Sequence, residues 1–116
     1  MQFSDPNRNM ASQEAIQEVG MLLHIDYHNV EKASLILRAL NNKLRQQILN
    51  VIDGERMTVT EIYVRLRLEQ SVASQHLAIL RKAGIVSPQV VGKLRYYTIN
   101  DKRVDDIKRF AEDIVG

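Results

Sequence analysis

The stretch from Thr58 to Gly84 constrains this chain most, because it spells two helices with almost nothing between them. Thr58 and Glu61 stand at the T-x-x-E spacing of a capping box, in which each side chain satisfies a backbone N–H of the other at a helix start. The first helix is therefore expected from Val59, with Val59, Ile62, Val64 and Leu66 as its apolar contacts. The charged run Arg65-Leu66-Arg67-Leu68-Glu69 ends it, and a second apolar series of Val72, Ala73, Leu77 and Leu80 begins at once. Two helices so close must cross steeply, which makes a helix-turn-helix over 58–84. The second helix of such a pair can lie in a major groove with its N-terminal residues against base edges.

Beyond this pair the period changes. Ala83-Gly84 closes the second helix, since glycine takes the left-handed C-cap conformation without a steric penalty. Val86 to Val91 and Leu94 to Ile99 are β-rich runs joined by Gly92-Lys93, a hairpin turn in which glycine supplies a positive φ. Residues 85–99 thus form a two-stranded wing, with Lys93 and Arg95 at its tip. Tyr96 and Tyr97 alternate faces, so at least one is expected in the core.

On the second helix Gln70, Ser71, Ser74 and Gln75 fall on one exposed arc opposite the apolar series, and these are the expected base-contacting residues. A glutamine amide both donates and accepts and so can address adenine N6 and N7 together, while serine tolerates either base type. Arg65, Arg67, Lys93 and Arg95 are the expected phosphate contacts. Residues 65–95 carry six basic side chains, Arg81 and Lys82 included, against Glu69 alone, in a chain whose net charge is only +2. Such a concentrated stripe is the footprint of phosphate binding, although basic faces also occur as solvated surface.

Gln70 to Leu77, followed by Leu80 to Val86 and by Gly92-Lys93 to Tyr96-Tyr97-Thr98-Ile99, resembles the ArsR-type winged-helix repressors of bacteria. The upstream segment Arg38 to Leu49 is similar to that family's "ALSDPTRLRIL" segment, and the likeness covers roughly residues 30 to 110. The resemblance implies a homodimer, paired through its first and last helices, that binds an inverted-repeat DNA operator and usually releases it when an effector binds. The effector is open here between a small molecule, a partner protein and none.

Two departures from the family bear on sensing. Thr58 and Thr60 stand where metal-thiolate members carry a C-x-C pair, and neither supplies a thiolate. The last segment, from Asp101 to Gly116, contains no histidine and has Arg103 in place of an interfacial metal ligand, so only Asp101 survives of that donor set. The chain has no cysteine, which excludes thiol-based sensing. No cofactor is expected. His24 and His28 share a helical face only if one helix runs through both, and two imidazoles fall short of the usual four ligands. A metal-responsive repressor using His24 and His28 is accordingly the lesser alternative. His76, beside Ala73 and Leu77, reads as a hydrogen-bonded, partly buried histidine.

The fold class expected is mainly α with a small β component, one domain over 12–116. Residues 1–11 are polar with Pro6 and are expected to be disordered. An extra helix is expected over 12–28, with Ile16, Val19 and Leu23 on its apolar face. Asn29 is expected to cap the next helix and Asn42 the one after, until Asp53-Gly54 stops it. At the carboxyl end a helix over 100–115, capped by Asn100 or Asp101, presents Val104, Ile107, Ala111 and Ile114 on one stripe. That stripe either packs on its own core or pairs with a symmetry mate. Pairing is favoured because two reading helices related by a two-fold axis address half-sites about 34–36 Å apart.

No run approaches the ~20 apolar residues of a membrane span, and the first residues lack a signal-peptide pattern, so a cytoplasmic protein is expected. An enzyme is not expected, because there is no cysteine nucleophile and no Gly-rich phosphate loop, and Asp105 and Asp106 diverge by about 100° on a helix. The alternative to DNA reading is a winged helix that binds an acidic protein. Salt-sensitive, sequence-selective affinity for duplex DNA separates the two.

Overall fold

The computed structural model describes residues 23–116. Two compact units divide the chain, Met1–Ser34 and Leu35–Gly116, with the boundary inside one helix. In the first unit Leu23 is exposed, His24 adopts a left-handed φ of 57°, and Ile25-Asp26 is irregular before helix α1 (Tyr27–Leu40) begins. The helix expected over 12–28 is thus interrupted at His24. Asp26, not Asn29, starts α1: its Oδ1 accepts from the N–H groups of His28 and Asn29 at 3.0 and 3.4 Å. A carboxylate reaches two first-turn N–H groups, which favours the cap one turn earlier than the pattern suggested. The polar segment 1–11, Ile16 and Val19 lie outside the described residues.

The second unit is the winged helix. Asn42 caps α2 (Lys43–Ile52), its Oδ1 accepting from the Arg45 N–H at 3.0 Å, and Gly54 follows with φ 77°. A two-residue strand β1 (Met57–Thr58) leads directly into α3 (Val59–Leu66). Thr58 and Glu61 form the reciprocal capping box that their spacing demands. After a three-residue turn comes α4 (Gln70–Lys82), then β2 (Val86–Val91), β3 (Leu94–Ile99) and α5 (Asp101–Val115). The sheet is antiparallel in the order β1-β3-β2, with Met57 opposite Tyr97 and Val86 opposite Ile99. Three strands stand where the sequence suggested a two-stranded hairpin, because two residues are too few to show a period of two.

The core is aliphatic. Ile48 and Ile52 of α2, Ile62 of α3, Ala73, Leu77 and Leu80 of α4, Ile85 and Val86 all lose their contact with solvent, with Ala39, Met57 and Tyr97 close behind. Val64 does not join them. It is 63% exposed, since it sits about 200° around the helix from the buried Ile62.

The junction between α4, the wing and α5 is closed by a few polar groups. Gly84, at φ 74°, ends α4, and the Arg103 guanidinium lies about 3.0 Å from where a Cβ on Gly84 would stand. Asn100 caps α5 by accepting from the Arg103 N–H at 3.2 Å, and its Nδ2 donates to the Gly84 carbonyl at 3.1 Å. Arg103, which occupies a ligand position of the metal-sensing pattern, therefore packs against the end of α4.

Val104 and Ile107 on the first half of α5 are half-buried against this core, whereas Phe110, Ala111, Ile114 and Val115 are exposed. Ile114 and Val115 leave 71% and 86% of their surface uncovered. The stripe expected to form an interface is thus divided: its first two members serve their own core, and its last two face outward. On the polar side Arg109 and Lys102 flank Asp106, and the Arg109 hydrogen bond holds that carboxyl below its ordinary range. No helix among the described residues is long and apolar enough to cross a membrane.

Candidate nucleic-acid interface

Helix α4 is held from below by Ala73, Leu77 and Leu80, with Val72 and His76 half-buried at one edge. Everything on the other side is exposed. Gln70, Ser71, Ser74 and Gln75 all reach solvent and span about 140° of the helix circumference, so the four expected base-contacting residues do share one face. Ile79, one turn beyond Gln75, is exposed as well. The sequence reading missed it, because an isoleucine in an apolar series looks like core.

The N-terminus of α4 starts at Glu69, whose side chain makes no cap hydrogen bond; Ser, Thr, Asp and Asn are the better caps. Preceding it, Arg67 has φ 55°, a left-handed conformation, and its N–H reaches back to the carbonyls of Tyr63 and Val64. Such a φ costs an ordinary residue about 1–2 kcal/mol. It is what allows the chain to leave α3 and enter α4 within three residues. Arg65 and Arg67 are both exposed, one in the last turn of α3 and the other in the turn itself.

The wing carries the second group of cations. Gly92 takes φ 62°, the strands turn, and Lys93 stands at the tip with Arg95 opposite Val90; both cations are exposed. β1 pairs with β3 only at Tyr96 and Tyr97, so the tip projects beyond the third strand. Of the two tyrosines Tyr97 is the core member, while the Tyr96 ring is covered by the Arg56 guanidinium, 4.6 Å from its centroid. Arg56 is a site-flanking cation that the sequence reading did not single out, since only the pairing of β1 with β3 brings it to the wing.

The remaining histidine does not face outward with the glutamines. His76 Nδ1 lies 3.2 Å from Nη1 of Arg45, and burial, then the Arg45 charge, lower its pKa from the ordinary 6.5. His24 and His28 are both exposed and are separated by the break at His24 to Asp26, so no single helix aligns them. Among the described residues no group of three or more His, Asp or Glu comes together to hold a metal.

A capped helix pair, an outward polar arc and a basic hairpin define a winged helix-turn-helix DNA-binding protein. Comparison with known proteins gives the family. Residues 42–87 match the model of the bacterial regulatory proteins of the arsR family. The chain is 38% identical over 76 residues to the transcriptional activator HlyU of Vibrio cholerae, covering 66% of this chain and 70% of HlyU. The solved HlyU structure superposes with a TM-score of 0.59 over 76% of this chain and 97% of that one, at 32% identity. Over 91 residues the identity to the transcriptional repressor PagR of Bacillus anthracis is 30%, covering 78% of this chain and 91% of PagR. The crystal structure of NolR from Sinorhizobium fredii is similar over 97% of this chain and 95% of its own, with a TM-score of 0.62 and 26% identity. This chain belongs to the arsR family and is a DNA-binding transcriptional regulator.

Proposed function

We propose that the protein acts as a cytoplasmic homodimeric repressor, binding an inverted-repeat operator and occluding the promoter that contains it. The observation that carries this reading is the pairing of an outward Gln70-Ser71-Ser74-Gln75 arc with an apolar second half of α5 that its own core leaves uncovered. The arc reads bases. The α5 face, through Ile114 and Ala111 with Val104 and Ile107 at its root, packs on its symmetry mate and sets the spacing between two arcs. The family resemblance implies Leu23, Ile16 and Val19 as further interface residues. One reading helix addresses only a few base pairs, so two are required for useful selectivity.

Gln70, Ser71, Ser74 and Gln75 are assigned to base edges, and Arg65, Arg67, Lys93 and Arg95 to phosphates. No effector is assigned. Relatives named as activator and as repressor occur side by side. Repression is the preferred reading, and the direction of regulation depends on where the operator lies relative to the promoter.

The test compares two substitutions on a duplex enriched from a random library. Gln70→Ala should weaken binding by about 1–3 kcal/mol and relax preference at one base position. Lys93→Ala should weaken every sequence alike and reduce the slope of log affinity against log salt by about 1. A uniform loss from Gln70→Ala would remove its assigned role.

A further inference from the structure

Three segments of the winged helix meet at one side chain that is neither core nor base-facing. Arg45 occupies the first turn of α2, where Asn42 holds its backbone N–H. Its Nε donates to the Ala39 carbonyl at 2.7 Å and its Nη2 to the Arg38 carbonyl at 3.2 Å. Both carbonyls belong to the last turn of α1, where the dipole favours a cation, and the Arg38 carbonyl also accepts from the Asn41 N–H at 3.2 Å. Gln46 takes the next one, Leu40, through Nε2 at 2.8 Å. A planar guanidinium fixed on two carbonyls has little freedom left. Its third contact, Nη1 to His76 Nδ1 at 3.2 Å, is therefore aimed, and it is aimed at the middle of α4.

We infer that Arg45 is a positioning residue for base reading: anchored on the end of α1, it grips His76 and so fixes the roll of α4 that presents Gln75 and Ser71. The inference rests on α4 being the base-reading helix. Ala73, Leu77 and Leu80 bury the underside of α4, but aliphatic contacts are non-directional and resist a small roll weakly. A hydrogen bond is directional. His76 sits about 100° around the helix from Gln75, so a bond at His76 controls the heading of the neighbouring amide.

The same bond fixes the protonation state. Nδ1 must accept from Arg45, so the ring is neutral with its proton on Nε2. Burial and the Arg45 charge both favour that state. Of the elements packed on α4, α2 brings Lys43 beside Arg45, α3 brings Glu61, Tyr63 and Arg65, and β2 brings no titratable residue; Lys43, Glu61 and Arg65 are exposed, and Arg45 is the charge that acts on the ring. As pH falls, the unfolded chain takes up the proton first, near 6.5. The contribution of His76 is therefore complete above 6.5, declines below it, and is gone once pH passes the lowered folded value. In the folded protein the bond is lost only as the ring itself takes up the proton, below 6.5, and sequence-selective affinity should fall there. A histidine facing phosphates would do the reverse, gaining affinity as it charged.

The probes are a duplex that the wild-type protein enriches from a random library and a scrambled duplex of equal length. His76→Leu and Arg45→Met should each lower the ratio of the two affinities about tenfold while leaving the scrambled affinity in place. His76→Asn puts a carbonyl oxygen near the Nδ1 position. It should keep the ratio and lose the decline expected of wild type as pH falls below 6.5. Nitrogen-15 spectra should show His76 as the Nε2–H tautomer, altered in Arg45→Met. If that variant does not fold, the two His76 variants decide alone, because they leave the Arg45 to carbonyl bonds intact. An unchanged ratio in His76→Leu, or a persistent pH decline in His76→Asn, overturns the role of Arg45. Failure of the wild-type protein to enrich any duplex would instead overturn the DNA-reading assignment on which it stands.

Discussion

The reading head and the terminal helix are built on opposite principles. From Ile48 to Val86 the large apolar side chains close on one another until seven of them lose their solvent contact, so this part of the chain satisfies itself. α5 is amphipathic along its whole length, yet none of its residues is fully buried, and its exposed apolar side chains lie in its second half. A sealed core needs nothing further, whereas an uncovered stripe at the end of a well-capped helix calls for a second surface. On the proposed reading, the difference separates what a single copy would do, which is present an arc of side chains, from what two copies would add, which is spacing.

Breaking the sealed half should have the largest effect. Leu77→Ala leaves a cavity beneath the reading helix and should cost about 2–5 kcal/mol of unfolding free energy, measured by denaturant titration. A cost below about 1 kcal/mol would show that the underside of α4 is less closely packed than its burial indicates. Breaking the uncovered half should act on association alone. Ile114→Asp should raise the dimer dissociation constant by about 30-fold or more in sedimentation experiments. Unfolding measured on dilute, single-copy protein should barely change, because a surface substitution away from other contacts falls within about 0.5 kcal/mol. Were Ile114→Asp to destabilise the single copy by as much as Leu77→Ala, the two-region picture would fail.

The smallest effect lies at the turn. Arg67→Gly relieves a left-handed φ at the expense of a more flexible unfolded chain, so a net stabilisation of up to about 1 kcal/mol is expected in thermal melts. DNA affinity should drop at the same time if, as proposed, Arg67 contacts a phosphate. Greater stability with lower affinity would show that the strained residue is kept for its charge.

Most of the winged helix was legible in sequence because its signals are local. The Thr58–Glu61 box, the Asn42 cap and the positive φ of Gly84 and Gly92 each act within a few residues, and each is found where expected. What escaped was long-range or directional. β1 shows itself only through its pairing with Tyr96 and Tyr97, and Val64 turned outward because Val59, Ile62 and Leu66 already form the inner face of an eight-residue helix. Arg45 and His76 are 31 residues apart, so their bond could not be read from spacing, although the partly buried character of His76 was. α5 was divided by geometry that periodicity cannot see, since a regular stripe does not say which of its members meet their own core.

The central claim is that two copies present paired reading arcs to successive turns of a duplex. Selection of bound sequences from a random duplex library, using the full chain, tests it most directly. The account predicts an inverted repeat whose half-sites are centred about 10–10.5 base pairs apart or a multiple of that. Enrichment of a single unrepeated half-site, or of no sequence at all, would contradict it.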